Sequence, residues 1–206
     1  FRVGVSATRR EMICTRASDN LTTILYVNAV GANDGLVFDG GGFVASCGRL
    51  VHESPRFVAS NTTVTVDLDR PSRVRAENTT WRSDHTAYTE SHAATVQTVV
   101  LADPTADKSA APLRFPVPAG RNFFLPSAAD PMTPRERFCE ELLDAMALGV
   151  GDYFEKSGAF RLLGVALSGG RDSLLCLLSA HRYVTNRARA AGQDAHKLSA
   201  EILRAF

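Results

Sequence analysis

The sequence has no C-x-x-C pair and no clustered histidines; Cys14, Cys47, Cys139 and Cys176 are scattered along it. That excludes a zinc ribbon or a disulfide framework as the basis of the fold, and the four read as reduced thiols, mostly core filler. No apolar run approaches the roughly twenty residues needed to span a bilayer. The amino end, FRVGVSATRR, also lacks the apolar stretch of a signal peptide. The expectation is a cytoplasmic protein with no membrane partner. Charge of one sign is missing too: 23 basic and 22 acidic residues nearly cancel, so nothing asks for nucleic acid as a partner. Arg70, Arg73, Arg75 and Arg82 are locally dense, but Glu77 and Asp84 interrupt them, as on a solvated face. Finally, the chain starts on Phe1 rather than Met and reaches Phe206 with a helical pattern still in progress, which reads as a fragment.

What is present centres on Leu162 to Leu178, LLGVALSGGRDSLLCLL. An apolar run meets a small-residue turn, and a second apolar run follows at helical spacing, so the stretch reads as strand, loop and helix. Adjacent glycines let the main chain approach a ligand closely, and the free N–H groups of the loop and helix start point one way. Such a turn suits an anion, most plausibly phosphate. A carboxylate at Asp172 would repel that ligand unless a divalent cation stood between them, so Mg²⁺ with a nucleoside triphosphate is expected. The bland alternative is a Gly-Gly turn with a Ser/Asp helix cap.

The turn is not of Walker form, since no Lys-Ser/Thr follows the glycines. SGG-x-DS resembles instead the pyrophosphate loop of the ATP pyrophosphatases. By that resemblance Ser168, Gly169, Gly170, Asp172 and Ser173 would bind ATP, with Asp172 also a Mg²⁺ ligand and Arg171 at the variable position.

Ahead of this stretch, Ser6 to Asn20 carries Met12, Ile13 and Ala17 at amphipathic helical spacing. Thr22 to Val30, Leu36 to Phe38, Phe43 to Ala45 and the start at Leu50-Val51 then read as short strands broken by glycines, among them Gly40-Gly41-Gly42. Val64 to Leu68 alternates as a half-buried strand should. Tyr26 to Val44, YVNAVGANDGLVFDGGGFV, resembles the later part of a nitrilase-superfamily domain, more specifically the glutaminase half of glutamine-dependent NAD synthetases. Tyr26, Asn28, Gly31, Asp34, Leu36, Val37, Phe38, Asp39 and Gly40 carry the match, with Gly42 where Ser is usual. In that family a Glu, a Lys and a Cys hydrolyse glutamine and pass ammonia onward. All three would lie upstream of Phe1, so no catalytic residue is expected in this chain. Cys14, in a surface helix, and Cys47, in a hairpin turn, do not fit the nucleophile's role. Val5 stands where several relatives have Lys or Arg, while Arg9 matches a basic position of the pattern.

From Arg70 to Asp130 the apolar pattern weakens. Pro104, Pro112, Pro116, Pro118, Pro126 and Pro131 space out short pieces such as Val96 to Leu101, and a linker with at most one short strand is expected. His85 and His92 read as solvated, and Trp81 as an anchor for the linker. Thr133-Pro134-Arg135-Glu136 is a capping box with Pro at the first helical position. Phe138, Leu142, Ala145, Met146, Tyr153 and Phe154 offer a core face that runs to Gly158. A strand over Phe160 to Leu167, a helix over Ser173 to Ala190 and a further segment over Lys197 to Phe206 complete the chain.

The expected fold class is α/β: the C-terminal part of a nitrilase-like α/β/β/α sandwich (1–72), a Pro-rich linker (73–130), and the start of a Rossmann-like ATP-pyrophosphatase domain with a parallel sheet (131–206). The two resemblances in this order imply a fragment of a glutamine-dependent NAD synthetase, inactive alone. Such an enzyme takes ATP, Mg²⁺, deamido-NAD and glutamine, adenylylates the nicotinate carboxylate and displaces AMP with ammonia; a homo-oligomer is expected. Two other readings stand beside it: another ATP pyrophosphatase, such as a tRNA-modifying enzyme, and a non-catalytic nucleotide-binding assembly module.

Overall fold

The computed structural model describes residues 1–92, 99, 123–125 and 131–206. Pro104, Pro112, Pro116, Pro118, Pro126 and the Val96 to Leu101 piece, apart from Val99, lie outside the described residues. The architecture is α/β, with one antiparallel and one parallel sheet among the described residues.

Helix α1 (Val5–Asp19) packs on a four-stranded antiparallel sheet. The core between them joins Ile13 and Ala17 of the helix to Phe43 and Ala45 of the sheet, with Cys14, Ile24, Tyr26 and Leu50 at its margin. Met12, expected on the same apolar face, is half exposed. Strands β1 (Thr23–Val27) and β2 (Val30–Asn33) share one register against β3 (Leu36–Ser46), from Thr23 opposite Ser46 to Asn33 opposite Leu36. They behave as a single strand interrupted at Asn28-Ala29. Asp34-Gly35 closes that hairpin, and Cys47-Gly48 closes the next, onto β4 (Arg49–Arg56). Asp34 and Cys47 both take positive φ, as two-residue hairpin turns of the primed type require.

The glycine triplet does not break the sheet, contrary to the sequence expectation: β3 continues through it, with Gly40 and Gly41 at φ +64° and +77°. The glycines are needed for close approach. A Cβ on Gly40 would meet Val30 Cβ at 2.9 Å, and one on Gly42 would meet the Tyr26 carbonyl oxygen at 2.8 Å. Gly42 therefore belongs to a crowded strand rather than to a turn, and Ser could not enter without a shift.

Two further corrections concern the segment after β4. Val64 to Leu68 forms no strand, and the linker opens with two helices, α2 (Asp69–Glu77) and α3 (Thr79–Ser91). Asn78 caps α3 by accepting from the Trp81 N–H at 2.7 Å. Trp81 itself lies under the Arg75 guanidinium and stacks on His85, so it anchors α3 to α2 locally.

The C-terminal part is built on α4 (Pro134–Ser157), which starts with the predicted capping box. Glu136 N–H donates to Thr133 Oγ1 and Thr133 N–H donates to a Glu136 carboxylate oxygen, satisfying helix-end donors at both positions. The helix passes through Gly149 and Gly151 and ends at Gly158 in the left-handed conformation. Its buried face is not the large-residue face expected. Phe138, Leu142 and Tyr153 are exposed, while Ala145, Ala147, Gly151 and Phe154 are buried. The cause is close packing on α5 (Arg171–Ala191): a Cβ on Gly151 would lie 2.3 Å from the Tyr183 ring. Small residues bring the two helices together around Phe154, Tyr183, Val184 and Ala188, and α6 (Ala195–Ile202) closes this core with Leu198. Strand β5 is shorter than expected, Leu163–Val165, and pairs in parallel with β6 (Leu203–Ala205). The crossover between them is α5 and α6.

Candidate functional site: the Gly-Gly turn at the start of α5

β5 and α5 hold the turn between them. Leu167 N–H donates to the Phe206 carbonyl at 2.7 Å, which ties the strand side of the turn to β6. Gly169 takes φ +79°, closed to most side chains, and Gly170 is the N-terminal cap residue of α5. A Cβ on Gly170 would come within 3.3 Å of Ser168 Oγ. Both glycines are therefore fixed by geometry rather than by composition.

Of the five residues singled out in the sequence, three are brought into direct contact. Ser168 N–H donates to Ser173 Oγ at 3.3 Å, the two hydroxyls lie 3.2 Å apart, and Gly170 N–H donates to Ser168 Oγ at 3.4 Å. Ser173 Oγ–H donates in turn to the Gly170 carbonyl at 3.0 Å. A hollow of about 240 Å³ opens here, lined by Leu167, Gly169, Gly170, Arg171, Ser173 and Leu174. Asp172 stands exposed in the first turn of α5 and is not part of that lining. No side chain caps α5, whereas Asn78, Thr133 and Asp194 cap α3, α4 and α6 and Asp67 Oδ1 accepts from the first two N–H groups of α2; α1 shares the lack. The first N–H groups of a helix have no intrahelical acceptor, and together with the helix dipole they favour an anion at this end. Among the described residues no group of three His, Cys, Asp or Glu side chains is arranged to hold a metal ion.

A larger cleft of about 800 Å³ lies between the end of β4, α4 and α5. Much of its polar lining is engaged internally: Tyr183 Oη–H donates to Glu155 at 2.8 Å, Arg187 donates to Tyr183 Oη at 3.0 Å, and Asn186 donates to Asp144 at 3.4 Å. Burial, reinforced by the Glu155 carboxylate, pushes the Tyr183 phenol up to about 12. It keeps its proton and acts only as a hydrogen-bond partner.

Sequence reasoning missed one charged cluster altogether. Asp39, 1% exposed, sits at the centre of β3. Arg9 Nη1 donates to both its oxygens, at 2.7 and 2.9 Å, while Arg56 donates through Nε at 3.1 Å and Nη2 at 2.9 Å, and Asn28 Nδ2 through a 3.1 Å bond. Burial works to raise the Asp39 pKa, but the hydrogen bonds and charges of Arg9 and Arg56 outweigh it and hold the carboxyl below the usual aspartate range. Arg9, the basic position of the sequence pattern, is thereby committed to Asp39. The only sequence signal was an acidic residue inside an apolar strand, LVFDGGG. Cys14 keeps to its expected place at the margin of the α1 core, and burial pushes its thiol up, opposite to what a nucleophile needs.

Comparison with solved structures gives the class first. The whole chain aligns with 29% of a glutamine-dependent NAD(+) synthetase from Cytophaga hutchinsonii, with TM-score 0.57 and 17% identity. It also aligns with 32% of the Acinetobacter baumannii enzyme solved in complex with adenosine diphosphate, with TM-score 0.54 and 19% identity. The fold is thus the α/β fold of a segment of these enzymes. No family model matches the chain.

Sequence comparison gives the particular relationship. The Aquifex aeolicus glutamine-dependent NAD(+) synthetase is 32% identical over 174 residues, 84% of this chain and 26% of the relative. The Thermotoga maritima enzyme is 31% identical over 181 residues, and the Synechocystis enzyme 28% over 176. The chain is a relative of the glutamine-dependent NAD(+) synthetases and spans about a quarter of the length of those it matches.

Proposed function

We propose that the chain is part of a glutamine-dependent NAD synthetase, a carbon–nitrogen ligase. In this reading residues 1–72 close a nitrilase-like glutaminase domain, 73–130 link, and 131–206 open an ATP-pyrophosphatase domain. The observation that carries it is the Ser168–Ser173 turn, set between a parallel strand and the uncapped N-terminus of α5. The order of sheet layer and phosphate turn, and the names of the relatives, support the same reading.

Ser168 and Ser173 fix the turn through their mutual contact, and Gly169 and Gly170 keep side chains out of the hollow. The N–H groups at the start of α5 would receive the phosphates of ATP, and Asp172 would hold Mg²⁺ from the solvent side. The donor set fits that ion, which commonly takes only one or two carboxylates from protein and the rest from phosphate and water. Bound Mg²⁺ would neutralise charge on the leaving pyrophosphate. The α5 dipole and the first N–H groups of α5 would act on the same charge, while the Ser168 and Gly170 N–H groups are spent within the turn. The overall reaction would join the nicotinate carboxylate of deamido-NAD to AMP, release pyrophosphate, and then displace AMP by ammonia drawn from glutamine. Cytoplasmic location and homo-oligomeric assembly belong to this reading; among the described residues no helix is long and apolar enough to cross a membrane.

The test is pyrophosphate release by the full-length gene product with Mg-ATP and deamido-NAD, comparing ammonia with glutamine, before and after Asp172→Ala. Release with both donors, lost on substitution, is expected. Absence of release with either donor would remove NAD synthesis and direct attention to RNA substrates.

A further inference from the structure

Helix α4 serves two neighbours with two stripes of residues. Asp144, Ala147, Gly151 and Phe154 meet α5. Glu141, Asp152 and Lys156 meet the antiparallel sheet layer instead. On a helix, residues eleven positions apart return to within about 20° of the same direction and stand about 16 Å apart along the axis. Glu141 and Asp152 are such a pair, so the sheet is gripped twice along one face. At the first grip Glu141 Oε1 accepts from Arg56 at 2.7 Å and Oε2 accepts from the Gly4 N–H at 2.8 Å. Behind it, Arg56 spends its other donors on buried Asp39. At the second, Asp152 accepts from the Ala32 N–H at 2.6 Å, and Lys156 Nζ donates to the Ala32 carbonyl at 2.6 Å.

The polar grips have directional consequences that the apolar face lacks. α4 cannot slide along the sheet or roll on it without breaking a charge-assisted bond, and such bonds are about twice as strong as neutral ones. α5 is in turn locked to α4 by the Tyr183 ring over Gly151, and α5 begins at the Ser168–Ser173 turn. The place of that turn relative to the sheet layer is therefore set through both grips, and Glu141 is the one that also reaches the buried Asp39 through Arg56.

We propose that Glu141 is a positioning residue for nitrogen transfer: it fixes the phosphate turn relative to the sheet layer and so governs how much of the ammonia made from glutamine is used. It touches neither ATP nor the reacting atoms. This rests on the synthetase reading above.

The test uses the full-length protein with Glu141→Ala, Glu141→Gln and, at the second grip, Lys156→Ala. Three quantities are read: NAD formed from ammonia, NAD formed from glutamine, and glutamate released per NAD. With Glu141→Ala, ammonia-driven kcat and the KM for ATP stay at the wild-type level. Glutamate released per NAD rises about tenfold, within the roughly hundredfold that a misplacement near 1 Å can cost. Glu141→Gln keeps one acceptor oxygen, for Gly4 or for Arg56 but not both, and so retains only part of the coupling; Lys156→Ala acts in the same direction as Glu141→Ala, more weakly. Equal loss of ammonia-driven and glutamine-driven synthesis would show a merely structural role and overturn the proposal. An unchanged glutamate-to-NAD ratio overturns it alone, with the synthetase reading intact. A wild-type protein that uses ammonia but not glutamine also overturns it, since there is then no transfer to govern. Failure of the wild type with both donors removes the synthetase reading and this inference together.

Discussion

Two aspartates divide the molecule. Asp39 lies in a strand of the N-terminal sheet, buried and held by two arginines and an asparagine, while Asp172 stands in solvent on the first turn of α5. In the sequence the first is one position of a strand pattern and the second an expected Mg²⁺ ligand, with a helix cap as the bland alternative. The structure gives them opposite surroundings. A buried carboxylate with every lone pair engaged has no capacity left for a ligand, and its work is to hold the sheet together. An exposed carboxylate beside an uncapped helix start holds little, and for that reason is available for binding. The ionic centre is finished, the Gly-Gly turn is open, and α4 joins them.

The contrast can be broken by substitution. Asp39→Ala should have the largest effect, about 3–5 kcal/mol lost in urea unfolding, because it removes the buried carboxylate shared by two half-buried guanidinium groups and leaves Arg56 with Glu141 alone. The folded-state pKa of Asp39 is depressed, so its contribution is complete above the unfolded value of about 3.9 and is lost as pH falls through the lower folded value. The stability gap between wild type and Asp39→Ala should thus be constant from pH 5 to 8 and close only under stronger acid; a gap that closed near pH 6 would assign it to another group. Gly151→Ala comes next. Its methyl would overlap the Tyr183 ring, costing about 1–3 kcal/mol of overpacking even though Ala is the better helix former. A stabilised variant would mean that the Tyr183 ring moves aside at no cost and does not lock α5 to α4. Thr133→Ala should cost about 1 kcal/mol through loss of the cap on α4, measured as a shift in unfolding midpoint. Smallest of all, Asp172→Ala should alter stability by no more than about 0.5 kcal/mol. A large loss there would make Asp172 a structural residue like Asp39.

The local chemistry was legible in the sequence. A cap, a Gly-Gly turn and the apolar runs beside it depend on neighbours a few residues away, and α1, the α4 capping box and the strand–turn–helix at Leu163–Ala191 follow from them. The sheet was harder to read, because Gly40 to Gly42 have the composition of a turn; the positive φ of Gly40 and Gly41 and the crowding by Val30 and Tyr26, brought close by pairing, show why glycine is there. α3 was missed since it buries none of its residues and leaves no apolar period to detect. The face of α4 was read in part: Ala145 and Phe154 are buried as expected, but helices in close contact favour Ala and Gly, and Phe138, Leu142 and Tyr153 point elsewhere. Arg9, Arg56 and Glu141 lie far apart in sequence, and no local pattern could assemble them around Asp39. The domain boundaries and the ATP-binding roles go beyond what the fold itself settles and stand as parts of the proposal.

The two grips on α4 also make that helix a ruler. Deleting or inserting one residue between Glu141 and Asp152 would turn one grip about 100° away from the other and split the apolar stripe with it. A four-residue deletion would restore the direction, yet it would bring the grips about 6 Å closer along the axis and off their partners on the sheet. Length drift in this stretch should therefore be forbidden where sequence drift is tolerated, and natural relatives should differ here by substitution and not by gaps.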